Sequence, residues 1–501
     1  MSREILLTLY FVILCVLSAY GLHRYQLLYL YYKYKRQPQK PRKKFEILPR
    51  VTIQLPIYNE MYVVERLIDS IVAIDYPKEL LEIQVLDDST DETNNICQKK
   101  VEEYQEQEVN ISYIHRKDRS GFKAGALENG MKTATGDFIA IFDADFLPCS
   151  DFLHNTVHYF TDDKVGLIQT RWEHINRHDS LLTEVQSIFL DGHFMIEQTA
   201  RNSSGRFFNF NGTAGIWRKT TIIDAGGWEH DTLTEDMDLS FRAQIKDWKF
   251  IFLPYTVAPA ELPMTISAFK SQQHRWAKGT IQVCKKLLIP ILKSQVPFKA
   301  KVEAFIQLTN NFVYLLMFLF SLLMFPALVY RAQSGWYTLL LIDLPLFLAA
   351  TISINSFYAA SQIEIHKKWL HRIKYLPFVT AIGIGLCISN SKAVLEALFN
   401  HKTGFVRTPK YNAKNSQEKT SRRYKVKHNI LPYIELSLAT YFAFIIYSAY
   451  TIKAYVAIPF LLLFFYGYSY MAAVTLWEKL TISHKNAHIE TGEVNQLKEA
   501  C

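Results

Sequence analysis

The 501-residue chain has little of what builds irregular, cross-linked or phosphate-loop architectures. Its 19 glycines and 17 prolines are too few for a collagen-like or low-complexity protein. Six cysteines (Cys15, Cys97, Cys149, Cys284, Cys387, Cys501) form no CxxC pair and have no histidine at metal-ligand spacing, which points to reduced thiols facing cytosol or membrane. Acidic residues are the minority, 47 against 56 Lys+Arg, for a net charge of +9. The GxxxxGK[ST] spacing of a P-loop is missing, and His154 and His158, four apart, lack a HExxH context and read as ordinary histidines.

Apolar residues, by contrast, are abundant: hydrophobic residues make up 49% and aromatics 14%. The mean hydropathy of zero averages two kinds of sequence. Residues 5–22, 304–330, 436–452 and 454–477 carry no charge, and a bilayer is crossed by roughly 17–25 apolar residues. The stretch from about Val51 to Glu303 has no uncharged run of that length and reads as a soluble unit. A purely soluble protein is excluded.

Lys33, Lys35, Arg36, Lys40, Arg42, Lys43 and Lys44 form a basic cluster without an acid. Following a spanning segment, such a cluster reads as a cytoplasmic flank rather than a nucleic-acid patch. The first apolar segment lacks a small-residue cleavage site and reads as an uncleaved anchor with its N-terminus outside. Residues 376–399 are apolar only to about Ser389, carry Asn390, Lys392 and Glu396, and lie between two basic regions. An in-plane or re-entrant segment keeps both flanks inside, so five spans and one interfacial segment are expected. The expected organisation is an anchor (1–32), a basic linker (33–50), a catalytic domain (51–265) and an amphipathic helix on the membrane surface (266–300). Two spans (301–363), an in-plane helix with a basic loop (364–429), two more spans (430–478) and a cytoplasmic tail (479–501) follow.

Within the soluble unit, β-branched and apolar runs predict strands at 51–57, 81–86, 111–114 and 137–142, with helical patterns between them, including one at 123–133. That alternation implies an α/β domain with a mainly parallel sheet and ligands beyond the strand carboxyl ends. Ser89 with Glu92 fits a capping box, leaving Asp87 and Asp88 on a loop at a strand end. Asp143-Ala144-Asp145 directly follows a strand, so both carboxylates can reach a hard divalent cation; surface turns also produce this pattern. Thr234-Glu235-Asp236 opens a helix, either as a plain cap or as a base held ionised at neutral pH by the helix N-terminus. Gln272, Arg275 and Trp276 share a face of a helix from about 266 to 288, suited to hydroxyls, a diphosphate and a sugar ring, and equally to a membrane surface. Lys123 opens a helix after Gly121 and offers a point charge to a phosphate.

In this order and spacing, Asp87/Asp88, Asp143-x-Asp145, Thr234-Glu235-Asp236 and Gln272-x-x-Arg275-Trp276 resemble the D, DxD, TED and QxxRW motifs of family 2 glycosyltransferases in the cellulose-synthase superfamily. The likeness covers about residues 51–288 and is greatest to the cellulose-synthase-like mannan and glucomannan synthases. Phe405-Val406-Arg407-Thr408-Pro409-Lys410 is similar to the FxVTxK gating loop of that superfamily, with Arg407 departing from it. The resemblance implies a GT-A-like catalytic domain on transmembrane helices, inverting hexosyl transfer and a β-linked product. It implies that Asp87 and Asp88 bind the nucleotide, and that Lys123 and Arg275 hold the diphosphate of a UDP-glucose or GDP-mannose donor. Asp143 and Asp145 would hold Mg²⁺ or Mn²⁺, Asp236 beside Glu235 would be the general base, and Gln272 and Trp276 would hold the acceptor. Phe405, Thr408 and Lys410 would gate the site. The acceptor is a growing β-glycan or, alternatively, a lipid such as diacylglycerol or ceramide; a transporter or scaffold with a non-catalytic nucleotide-binding domain is a third reading. Export partners are unknown; a multi-pass plasma-membrane protein with a cytoplasmic catalytic domain is expected.

Overall fold

The computed structural model describes residues 2–37, 39–333, 339–401, 410 and 430–499. Seven strands form one sheet: β1 (Val51–Ile57), β2 (Leu81–Asp87), β3 (Ile111–His115), β4 (Phe138–Ile141), β5 (Val165–His174), β6 (Gly215–Arg218) and β7 (Lys249–Ala260). Their order is β3-β2-β1-β4-β6-β5-β7. All neighbours pair in parallel except β6, which runs antiparallel to β4 and β5. The mainly parallel sheet read from the sequence is therefore present, and the first four strands fall where the apolar runs put them. β1 and β2 are buried on both faces, which is why they lack a two-residue alternation. Helices Val64–Val72 and Thr93–Glu106 cover one face, and Phe122–Met131 lies against β1 and β2.

One local expectation fails. The helix after β2 starts at Thr93, with no side-chain cap from Ser89 or Glu92. Instead the Thr93 N–H donates to Asp91, and Ser89 accepts from the Asn59 backbone, tying the β2 end to the β1 end. The hydroxyl is thus drawn into a contact between strand ends that are distant in sequence.

Six helices among the described residues are long and apolar enough to cross a membrane: Arg3–Tyr34, Phe312–Arg331, Leu341–Ile365, Leu370–Leu398, Leu431–Thr451 and Tyr455–Thr481. Five of them fall at the expected spans, and the sixth, Leu370–Leu398, holds the segment expected to lie in the membrane plane. On paper its apolar run ends at Asn390, Lys392 and Glu396. In the fold Glu396 is met by His274 and Lys278 at 3.0 and 3.1 Å, so its charge does not face lipid. This segment is also set apart by burial: 78% of its apolar window is inside the protein, against 22–39% for the other five. Close approach of the last helix to it depends on small residues. A Cβ on Gly385 would lie 2.6 Å from the Gly467 carbonyl oxygen.

The long helix Ile266–Lys293 joins the sheet to this platform. The Glu478 carboxylate of the last helix accepts from the Ile266 and Ser267 backbone N–H groups at 2.6 and 3.2 Å, a negative charge at a helix N-terminus. One turn on, Lys270 is buried and donates to both Glu435 oxygens at 2.8 and 2.7 Å and to Thr475 at 2.8 Å. Removing one member of a buried pair strands the other charge. Glu435→Gln is therefore expected to destabilise the detergent-solubilised protein by about 3–5 kcal/mol. The double variant Lys270→Met/Glu435→Leu should recover most of that loss; thermal unfolding checks both.

Candidate active site

Because all strands but β6 share one direction, their carboxyl ends, and the amino end of β6, reach the same edge of the sheet. A cleft of about 870 Å³ lies there, lined by Tyr58 after β1, Asp88 after β2, Asp143 and Asp145 after β4, and Asn211 and Gly212 before β6. His174 ends β5 and Glu261 follows β7 in the same wall. Lys123, Glu235, Asp236, Gln272, Arg275, Trp276 and Lys410 complete it. The four motifs thus converge on one cavity, although they are spread over nearly 190 residues.

Each acid at the strand ends has a cation. Arg116 donates to both oxygens of Asp88, from Nε at 2.8 Å and Nη2 at 2.5 Å. Lys123 Nζ lies 2.5 Å from Asp143 Oδ1 and 2.9 Å from the Gly212 carbonyl. Burial alone would lower the Lys123 pKa, but Asp143, Glu235 and Asp236 outweigh it and hold the ammonium above the ordinary lysine value. Lys410 Nζ lies 2.5 Å from Asp145 Oδ2 and 3.1 Å from the Glu261 carbonyl. Two hard carboxylates, two residues apart and each already facing a positive group, suit a divalent cation with oxygen ligands.

Asp87 stands apart from the others. It is fully buried and does not line the cleft. Its carboxylate accepts from the Tyr113 hydroxyl at 2.8 Å and the Ser89 N–H at 2.9 Å, with His115 at 3.3 Å. As the last residue of β2, its side chain points to the sheet face opposite Asp88, where it fastens β2 to β3. Of the gating-loop residues, Lys410 is in the cleft, whereas Phe405 and Thr408 lie outside the described residues.

Helix Glu235–Ile245 delivers Glu235 and Asp236 to the cleft floor. Thr234 makes no side-chain cap; its hydroxyl is buried against Gly279 of the Ile266–Lys293 helix, where a Cβ would lie 2.5 Å from the Thr234 methyl. That glycine allows the two elements that carry the TED and QxxRW residues to touch. Asp236 accepts from the Met237 N–H at 2.8 Å, but helix geometry does not keep it strongly acidic, contrary to the expectation from its N-terminal position. Burial raises its pKa to about 7, with the Glu235 charge adding to the effect, and burial raises Glu235 as well.

Arg116, Arg119, Trp172 and His174 escaped the sequence reading. Arg119 stacks over the Tyr58 ring at 3.3 Å and lines the cleft beside Asp88. Both arginines stand in the basic run His115–Arg119 just before Gly121, a visible signal that no motif claimed. A further acidic group, Glu229, Asp231 and Asp238, is bridged by Lys286 Nζ at 2.5, 2.8 and 3.0 Å, with Arg242 on Glu229 and Asp238, and it reads as a structural clamp.

A cleft at the carboxyl edge of a mainly parallel sheet, with Arg119, Lys123, Arg275 and Lys410 in its wall, in a chain with helices long and apolar enough to cross a membrane, fits a membrane-integral hexosyltransferase with a GT-A-like catalytic domain. The family described as "Glycosyltransferase like family 2" matches residues 49–279. Glucomannan 4-beta-mannosyltransferase 1 of Cyamopsis tetragonoloba is 33% identical over 424 residues, covering 82% of this chain and 79% of that one. Probable glucomannan 4-beta-mannosyltransferase 7 of Oryza sativa subsp. japonica is 45% identical over 249 residues, 49% of this chain and 43% of that one. The chain belongs to glycosyltransferase family 2, among the cellulose-synthase-like enzymes. Its fold is shared with the mannosyltransferase PcManGT of Pyrobaculum calidifontis, solved with GDP-Man and Mn2+, at a TM-score of 0.53 and 21% identity over 78% of this chain and 99% of that chain.

A carboxylate with a pKa of about 7 is able to accept a proton near neutrality, which is the role the resemblance implies for Asp236. It accepts a proton only when ionised, so kcat/KM should fall about tenfold per pH unit below that value and level off above it. The initial-rate pH profile of the purified enzyme measures this acid limb, and Asp236→Asn should abolish it.

Proposed function

We propose that the protein transfers a β-mannosyl unit from GDP-mannose to the 4-hydroxyl of a mannan- or glucomannan-type chain. The names of the curated relatives support the sugar and the linkage. The observation that carries transfer chemistry is the meeting of the Asp143/Asp145 pair, the Lys123 and Arg275 cations and the Asp236 carboxylate in one cleft. Lys123 and Arg275 hold the donor diphosphate, and Asp88 with Arg116 and Arg119 frames the nucleotide end. Asp143 and Asp145 would hold Mg²⁺ or Mn²⁺, which supplies positive charge to the departing diphosphate. Gln272 orients the acceptor by hydrogen bonding, and Trp276 stacks on a sugar face. Asp236 takes the proton from the acceptor hydroxyl as the hydroxyl oxygen attacks the anomeric carbon from the side opposite the diphosphate. An α-linked donor thereby becomes a β-linked product, with Glu235 setting the basicity of its neighbour. Lys410, which pairs with Asp145 at 2.5 Å, is the residue of the gating-like motif that reaches the cleft. The basic flanks at 33–44 and 402–427 support a catalytic domain on the cytoplasmic side, and the plasma membrane is the location we propose for it.

Membranes incubated with labelled GDP-mannose or UDP-glucose test the reading. Label from GDP-mannose should enter alkali-stable, high-mass material that a β-mannanase degrades. Label that extracts wholly into organic solvent would instead establish a glycolipid product. Asp236→Asn should lower transfer by at least about 10²-fold while donor binding persists. Near wild-type transfer in that variant removes Asp236 as the base.

A further inference from the structure

Among the described residues, Trp172, His174, Thr232 and Thr234 of the cleft wall carry buried polar atoms without a hydrogen-bond partner, and the first two stand on one strand. His174, the last residue of β5, is only 6% exposed, and among the described residues neither of its ring nitrogens meets a hydrogen-bond partner. The indole Nε1–H of Trp172, two residues earlier, is likewise buried and unpartnered. Both residues line the cleft. Residues two apart on a strand share a face, and the opposite face carries Arg171 and Glu173, which pair with each other at 3.1 Å. The Trp172 ring is fixed between Phe146 and Phe194, with centroids at 5.2 and 5.0 Å. A buried donor or acceptor left unpaired is costly, and in native proteins such a group is met by water, an ion or a ligand or has a catalytic role.

The place of these residues in the sheet separates them from the nucleotide. The order β3-β2-β1-β4-β6-β5-β7 puts Tyr58, Asp88 and Arg116 on one side of the Asp143/Asp145 strand and His174 on the other, beside Glu261 and the lead-in to the helix that carries Gln272 and Trp276. Leu190, on the helix Leu181–Asp191 that packs against the membrane helix Leu344–Ile365, continues the same wall.

We infer that His174, with the Trp172 indole N–H, binds hydroxyl groups of the acceptor sugar and so sets which acceptor the enzyme extends. The inference rests on the transferase reading above and adds a subsite to it. Burial, with Arg177 nearby, lowers the His174 pKa to about 3, so the ring is neutral at working pH. A neutral imidazole has one donor and one acceptor nitrogen, which matches a hydroxyl, itself both donor and acceptor, and does not match a phosphate.

The test uses the full-length, detergent-solubilised chain with labelled GDP-mannose and β-1,4-manno-oligosaccharides, varying each in turn. His174→Phe removes both hydrogen-bonding atoms and fills the space. It is expected to raise the acceptor KM about tenfold, leaving donor KM and acceptor-independent donor hydrolysis unchanged. His174→Asn, which keeps a donor and an acceptor, should stay within about threefold of wild type, and Trp172→Phe should shift the acceptor KM in the same direction by less. An unchanged acceptor KM in folded His174→Phe overturns the inference, as does a rise in donor KM. Where thermal unfolding shows that His174→Phe does not fold, Trp172→Phe carries the same comparison. A wild-type chain that turns over neither GDP-mannose nor UDP-glucose overturns the transferase reading itself, and this result is separable because it appears before any variant is compared.

Discussion

A charge taken out of water must bring its partner with it, and this chain takes charges out of water along two seams. The first is the strand edge, where Arg116, Lys123 and Lys410 each answer a carboxylate. The second is the joint between the catalytic domain and the membrane helices. There Asp191 is fully buried at the end of helix Leu181–Asp191 and is held by Arg177 at 2.6 Å and by Gln362 of a membrane helix at 3.0 Å. Burial by itself would raise the Asp191 pKa, but the Arg177 charge reverses this and keeps it well below the ordinary carboxylate range. Arg372 closes the seam by donating to Glu184 and to Gln362. Each group depends on another that is remote in sequence, so the sheet and the platform have a single way to dock.

The two seams have different uses. At the joint Asp191 and Glu184 are each held by a guanidinium and Glu435 by an ammonium, and the result is rigidity. At the cleft the pairing is deliberately incomplete. Lys123 lies near three acids, Asp143, Glu235 and Asp236, and Asp236 is left basic first by its burial and then by the neighbouring Glu235 charge. That frustration is the resource a proton acceptor needs. The same holds for His174 and Trp172, whose polar atoms are satisfied by nothing among the described residues. Local rules of good packing are broken at several points of this cleft, where a ligand can repair them.

Much of the fold was legible because it rests on short-range pattern. The buried strands 51–57 and 81–87 are rich in β-branched and apolar residues, and the runs 304–330, 436–452 and 454–477, which hold most of three of the membrane-length helices, are charge-free. What escaped was relational. The strands at 165–174, 215–218 and 249–260 mix polar and apolar residues because they border the cleft, and their pairing is non-local. Glu396 looked like the end of an apolar run because its partners, His274 and Lys278, stand more than a hundred residues away. Ser89 looked like a helix cap because its actual donor, the Asn59 backbone, is thirty residues upstream.

The candidate site divides in the same way. The sequence by itself determined which residue types were available: a carboxylate pair past a strand, an acid at a helix start, an Arg and a Trp on one helical face, and membrane helices to carry them. Their order along the chain was also enough to reveal the family resemblance. Only the tertiary structure decided which of them share a space. It sent Asp87 into the sheet and Asp88 into the cleft, because adjacent residues at a strand end point to opposite faces. It set the basicity of Asp236, because desolvation and a neighbouring charge act through space and have no signature in the spacing of residues along the chain.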